Sequence, residues 1–144
     1  MTENNVKTPV HLWIVALVSL LWNAMGAFDY LATQLRLDFY MRAFRQEQLD
    51  YYYAFPKWLE ASWAIGVWGS FLGSFFLLLS KSWAVCLFGA SILGLAVSTV
   101  YNFVLTDGLA AMGEGGAIFT AVIWLIALVL LFYSQAMAKR GVLR

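Results

Sequence analysis

Cysteine and histidine are almost missing from this chain: Cys86 stands alone in an apolar run, and His11 is the single imidazole. One cysteine rules out an intrachain disulfide or a C-x-x-C redox pair, and its apolar setting predicts a buried free thiol. One histidine rules out a bis-histidine haem and any multi-histidine metal centre within one chain. Charge is also scarce. Asp, Glu, Lys and Arg supply 12% of the 144 residues and hydrophobic residues 62%, whereas a soluble domain carries about 25% charged residues. There is no Lys/Arg run that could track a phosphate backbone, and the net charge is only +1, so no nucleic-acid partner is expected. Gly113-Glu114-Gly115-Gly116 lacks the G-x-x-x-x-G-K-S/T frame of a phosphate loop, and beyond His11 no Ser-His pairing exists. No metal, cofactor or enzymatic activity is therefore expected.

What the chain does have is long apolar stretches and many rings. Seven Trp, seven Tyr and eleven Phe fit a protein with many helix ends at bilayer interfaces, where amphipathic rings settle. About twenty apolar residues cross a bilayer as a helix. Four stretches qualify, at about 10–35, 56–80, 83–105 and 117–138. The expected fold is an all-α integral membrane protein, with residues 1–144 forming one four-transmembrane-helix bundle and the lipid bilayer as its first partner.

Residues 1–9 are polar and end in Pro9, which predicts a short disordered tail. A cleaved signal peptide is the alternative at this end, since Lys7, an apolar core and the small residues Ala24, Gly26 and Ala27 imitate one; a single basic residue argues against it. Residues 36–55 mix charges with Phe39, Tyr40, Phe44, Tyr52, Tyr53 and Phe55 and contain no glycine. They predict an interfacial segment of one or two short helices between the first and second spans. Pro56 starts the second span, and Lys81 with its flanking serines makes the second and third spans an antiparallel hairpin. Residues 106–116, with four glycines, predict a flexible loop.

Four spans place both termini on one side. Lys7, Lys81, Lys139, Arg140 and Arg144 then share a face with Glu3 alone, while Arg36, Arg42, Arg45 and Lys57 share the other with seven acids. The positive-inside rule puts the termini in the cytoplasm.

Lipid tails are as apolar as Leu, so membrane helices associate through close backbone approach and interhelical hydrogen bonds. Gly66, Gly69, Ser70 and Gly73 give the second span a small face, and Ala90, Gly94 and Ser98 predict the matching stripe on the third. Asn23, deep in the first span, needs a partner, for which Ser98 and Asn102 are the expected choices; its spacing puts it on one face with Tyr30, and Asp29 on another with Trp22. The fourth span offers few such groups and is expected to face lipid or a partner. At the outer ends of the helices, Asp29, Tyr30, Glu60, Tyr101, Asn102 and Asp107 fall within a turn or two of one plane and predict a polar mouth. Two uses are open for it: acids tied to Arg36, Arg42, Arg45 or Lys57, or a site for a cation, proton or polar solute. Glu60 is explained by the dipole of its own helix.

Leu21-Trp22-Asn23 with Gly26-Ala27-Phe28-Asp29-Tyr30, then Phe55-Pro56-x-Trp58, Ser98-Thr99-Val100-Tyr101 and Arg140-Gly141-Val142-Leu143 resemble a family of short uncharacterised bacterial four-span membrane proteins, some labelled "sugar transporter". The resemblance covers nearly the whole chain and implies a bacterial inner membrane; it brings no binding residue with it. Two functions are expected from the sequence. The first is a non-catalytic accessory subunit of a larger membrane complex, or a self-associating scaffold such as a homo-oligomer. The second is a small-solute transporter, of sugar by the label, using the acidic outer mouth.

Overall fold

The computed structural model describes residues 6–144, so the polar stretch 1–5, Glu3 included, lies outside the described residues. The order of elements is α1 (Val10–Gln34), α2 (Asp38–Met41), α3 (Gln46–Tyr53), α4 (Lys57–Leu78), α5 (Trp83–Val100, continued by a π-helical turn over Tyr101–Leu105) and α6 (Gly108–Lys139). Four of these helices, α1, α4, α5 with its π turn, and α6, are long and apolar enough to cross a membrane. The chain is a multi-pass membrane protein built as an all-α four-helix bundle.

The ends of α1, α4 and α6 share one device. In each the residue two past the last helical one has positive φ: Arg36 at 51°, Ser80 at 56° and Gly141 at 75°. The next amide reaches back five residues, from Leu37 to the Ala32 carbonyl, Lys81 to Phe76 and Val142 to Met137, each at 3.0 Å or less. This left-handed cap satisfies carbonyls that the helix itself leaves free. At α4 it produces the tight reversal into α5. The extended C-terminus then locks onto that turn, with Ser82 donating to the Arg144 carbonyl and Arg144 to the Ser80 carbonyl, both at 3.0 Å.

The α4–α5 hairpin is the tightest seam. A Cβ on Gly94 would lie 2.5 Å from the Ser62 carbonyl oxygen and 2.6 Å from the Gly66 nitrogen, and one on Gly73 would meet the Phe88 ring at 2.8 Å. Gly69 rests on Leu87 and Ser91. Small residues let the two backbones approach, as the sequence predicts, but the stripe on α5 is rotated. Ser91, not Ala90, faces the α4 glycines, and Ala90 is half-exposed. The facing ladder is Ala84, Phe88, Ser91, Gly94 and Ser98, a regular three-four spacing that a search for small residues alone misses because Phe88 belongs to it.

Three other expectations are corrected. Residues 106–116 are not a flexible loop: Asp107 caps α6 by accepting from the Ala110 amide at 3.3 Å, and α6 runs from Gly108, not from 117. Leu109-Ala110-Ala111-Met112 are strong helix formers that outweigh the neighbouring glycines. Glycine acts at one place, Gly113, whose φ of 75° and ψ of −179° break α6 into a short outer piece and a long inner one. Cys86 is exposed on the outside of α5, not buried, because an apolar run in a membrane helix is apolar on the lipid face as well. The interfacial segment does form two short helices, α2 and α3, as expected.

α1 packs on α4, α4 on α5 and α5 on α6. α1 and α6 share no comparable seam and meet through side chains. His11 Nδ1 and the Tyr133 hydroxyl are hydrogen-bonded near the termini, and the Trp22 and Phe119 rings lie 5.9 Å apart at mid-depth. The buried core, with Leu12, Ala16, Leu77, Ala84, Phe88 and Met137, fills the end of the bundle near the termini.

Candidate functional site

Towards the other end the bundle is hollow. A cavity of about 510 Å³ is lined by all four long helices and roofed by the interfacial segment. Its floor is hydrogen-bonded. Asn23 Nδ2 donates to the Ser74 hydroxyl at 2.8 Å and to the Ser70 carbonyl at 3.2 Å. The expected partners on α5, Ser98 and Asn102, are therefore replaced by residues of α4, the helix on which α1 packs. Ser91 donates to the Gly66 carbonyl at 2.6 Å, and its hydroxyl also meets that of Ser70. An amide this deep in a span has no water to bond, so these partners hold three helices in register.

The roof is aromatic. Tyr40, Phe44, Tyr52, Phe55 and Trp63 all line the cavity, and each ring sits against the next with centroids 5.5 to 6.2 Å apart. Such contacts bury ring area, and the Tyr40 phenol keeps a polar partner in Asp29. Tyr51, behind this row, donates to Asn102 Oδ1 and meets the Thr106 hydroxyl at 2.9 Å, tying α3 to the π turn of α5. The π turn itself carries Asn102 Nδ2 to the Ser98 carbonyl at 2.9 Å. Arg36 leaves the cavity and lies over the Tyr53 ring at 4.1 Å.

Asp29 stands where α1 reaches the roof. Its Oδ1 accepts from the Tyr40 hydroxyl at 2.5 Å, and no Lys or Arg among the described residues pairs with it. Burial, and then the Asp29 carboxylate, push the Tyr40 phenol up; burial and Asp29 do the same to Tyr52. Burial also raises Tyr51, against the lowering effect of its bond to Thr106. All three phenols therefore stay neutral, and those of Tyr40 and Tyr51 serve as donors.

The predicted mouth is split by the structure. Of its six members only Asp29 and Asn102 line the cavity. Tyr30 packs edge-on to Trp63 at 4.9 Å, Tyr101 against Phe55 and Trp58, and Asp107 caps α6. Glu60 pairs with Lys57 at 3.0 Å, the single ion pair among the described residues, so the expected ties to Arg36, Arg42 and Arg45 are not made. Asn23 shares the cavity with Asp29, not with Tyr30. A level shared along the membrane normal does not make a site, because side chains at one level point in every direction around the bundle.

Sequence reasoning missed Tyr40, Tyr52 and Trp63 as site residues. The aromatic run of the interfacial segment was the available signal, but only the fold shows which rings turn inward. One polar atom is left over. Ser98 Oγ is buried and has no hydrogen-bond partner among the described residues, and Ser98 lines the cavity. No Lys, Arg, His or Cys lines it. No protein family, curated protein or solved structure matches the chain.

Proposed function

We propose that this protein is a non-catalytic membrane protein that takes a small amphipathic solute into the cavity of its bundle and hands it across or out of the bilayer. The observation that carries the reading is the cavity itself: about 510 Å³, lined by four helices, polar at its floor and aromatic at its roof. Sites for drug-sized ligands span about 300–1,000 Å³ and combine apolar walls with a few placed polar groups. The lining offers no nucleophile beside a base, which speaks against catalysis. The proposed setting is a bacterial inner membrane with the termini in the cytoplasm. Support for this comes from Lys7, Lys81, Lys139, Arg140 and Arg144 at the terminal end and from the absence of basic residues between Lys81 and Lys139.

An accessory or self-associating role is the second reading. The observation favouring it is α6, which packs on α5 along one side and leaves Ile118, Val122, Leu125, Val129 and Phe132 exposed.

Native mass spectrometry of the protein released gently from its own membrane separates the two. The expected result is a bound small molecule that disappears in Gly26→Phe. Gly26 lines the cavity, and a Cβ there meets nothing within 4 Å, so a larger side chain has open space to enter, and thermal unfolding checks that the variant folds. A stoichiometric foreign subunit, or a stable oligomer with an empty cavity, would establish the second reading instead.

A further inference from the structure

Resting on the reading of the cavity as a ligand site, we infer that its ligand is an organic cation, an ammonium compound with an apolar arm, whose charge is held at Asp29 inside the aromatic roof. Charge comes first. Among the described residues Asp29 is the only carboxylate lining the cavity and no basic side chain lines it, so the space attracts cations and repels anions. One Asp29 oxygen takes the Tyr40 hydroxyl; the other has no partner among the described residues. A half-buried carboxylate on the cavity wall, with one oxygen unpaired and no counter-ion among the described residues, is incomplete, and a bound cation completes it.

The rings around it supply the second half of the recognition. The row from Tyr40 through Phe44, Tyr52 and Phe55 to Trp63 lines one continuous wall. Ring quadrupoles attract ammonium groups, above all desolvated ones, and quaternary ammonium sites are built from such walls. Beyond the roof the cavity turns apolar, with Leu95, Ile123, Ile126 and Leu130, which suits an apolar arm. The unpartnered Ser98 hydroxyl is left to receive one polar atom on that arm.

A sugar fits this lining poorly. Polyols need many free donors and acceptors, whereas Asn23, Ser70, Ser91, Thr99, Asn102 and Thr120 all spend hydrogen bonds inside the protein.

The test uses the full chain in lipid nanodiscs, with empty nanodiscs as blank. Binding of radiolabelled benzyltrimethylammonium is measured by scintillation proximity, with neopentylbenzene, its neutral isostere, and with phenylacetate and glucose as competitors. Saturable binding is expected, with the neutral isostere at least about tenfold weaker and phenylacetate and glucose inactive. Asp29→Asn is expected to weaken the cation about tenfold or more and to leave the neutral compound unchanged. Tyr52→Leu, which keeps the carboxylate, is expected to weaken the cation roughly threefold or more. Asp29→Glu is expected to restore part of the binding, and thermal unfolding of each variant checks that it folds. Equal binding of the cation by wild type and a folded Asp29→Asn, or equal competition by the neutral isostere, overturns the inference. If neopentylbenzene or glucose binds and Gly26→Phe abolishes it, the cavity reading survives and only the cation falls. If no probe binds and no small molecule accompanies the native protein, both fall together.

Discussion

The two ends of this bundle are made from the same four helices and are packed in opposite ways. Near the termini, Leu12, Leu77, Ala84 and Phe88 are at most 1% exposed and the C-terminal segment is tied to the α4–α5 turn. Under the cap, the helices leave a cavity of about 510 Å³ between them. Hydrophobicity does not separate the two ends, since in lipid it gives helices no reason to associate. Small residues and hydrogen bonds do. They draw α4 onto α5 and α1 onto α4, whereas α1 and α6 are joined by a hydrogen bond only near the termini, between His11 and Tyr133, and at mid-depth meet ring to ring through Trp22 and Phe119. The hollow is what remains where only three of the four neighbouring pairs have a seam.

The largest effect that should separate the ends comes from removing a ring at each. Phe88→Ala is expected to cost about 3–5 kcal/mol, because it empties a filled core against Gly73. Phe119→Ala, beside a space that already exists, is expected to cost under about 1 kcal/mol. Reversible unfolding in mixed micelles measures both, and equal losses would break the comparison. Next is the seam. Gly94→Leu drives a side chain into Ser62 and Gly66 and should cost at least about 1–3 kcal/mol. Gly26→Ala, with open space beside it, should leave unfolding unchanged or slightly delayed. Similar thermal midpoints for the two variants would mean that the seam does not decide the packing.

A smaller loss is expected at the floor of the cavity. Asn23→Leu removes two bonds to α4 and should cost about 0.6–1.7 kcal/mol, in line with hydrogen bonds between membrane helices. A double-mutant cycle with Ser74→Ala isolates the side-chain pair, and a coupling near zero would show that the Ser74 hydroxyl does not hold α1.

The smallest expected effect is a pH dependence confined to the cap. Tyr40, Tyr51 and Tyr52 are raised above the ordinary phenol value, mainly by burial. For a group raised in the folded state, the stabilisation is full below its unfolded value and is lost as pH rises towards the folded one. Stability should therefore hold near neutrality and fall above about pH 10, the ordinary phenol range. The fall should be shallower in Tyr40→Phe. Thermal midpoints between neutral and strongly alkaline pH test this, and an identical curve for the variant would remove Tyr40 from the account.

Much of this architecture can be read directly from the residues. Apolar length sets the number of spans and nearly all their ends, because the bilayer fixes the length a helix needs, and α1 runs to Gln34 against an expected end at 35. Gly69, Gly73 and Gly94 mark the hairpin seam because a Cβ on any of them would lie 3.1 Å or less from the facing helix. The interfacial segment declares itself by mixing charge with rings and lacking glycine. The fourth span was legible only in its inner part, since glycine density hid the helix-forming run Leu109–Met112. The cavity was not legible at all. Polar groups at one level of the membrane resemble a mouth in one dimension, and periodicity tells which residues of a helix share a face but not which neighbour that face meets. The tertiary structure decided that Asp29 turns to Tyr40 while Glu60 turns to Lys57, that Asn23 bonds to α4, and that α1 and α6 stand apart. Those outcomes depend on how four rods rotate against one another, and rotation is fixed by contacts between residues far apart in the chain.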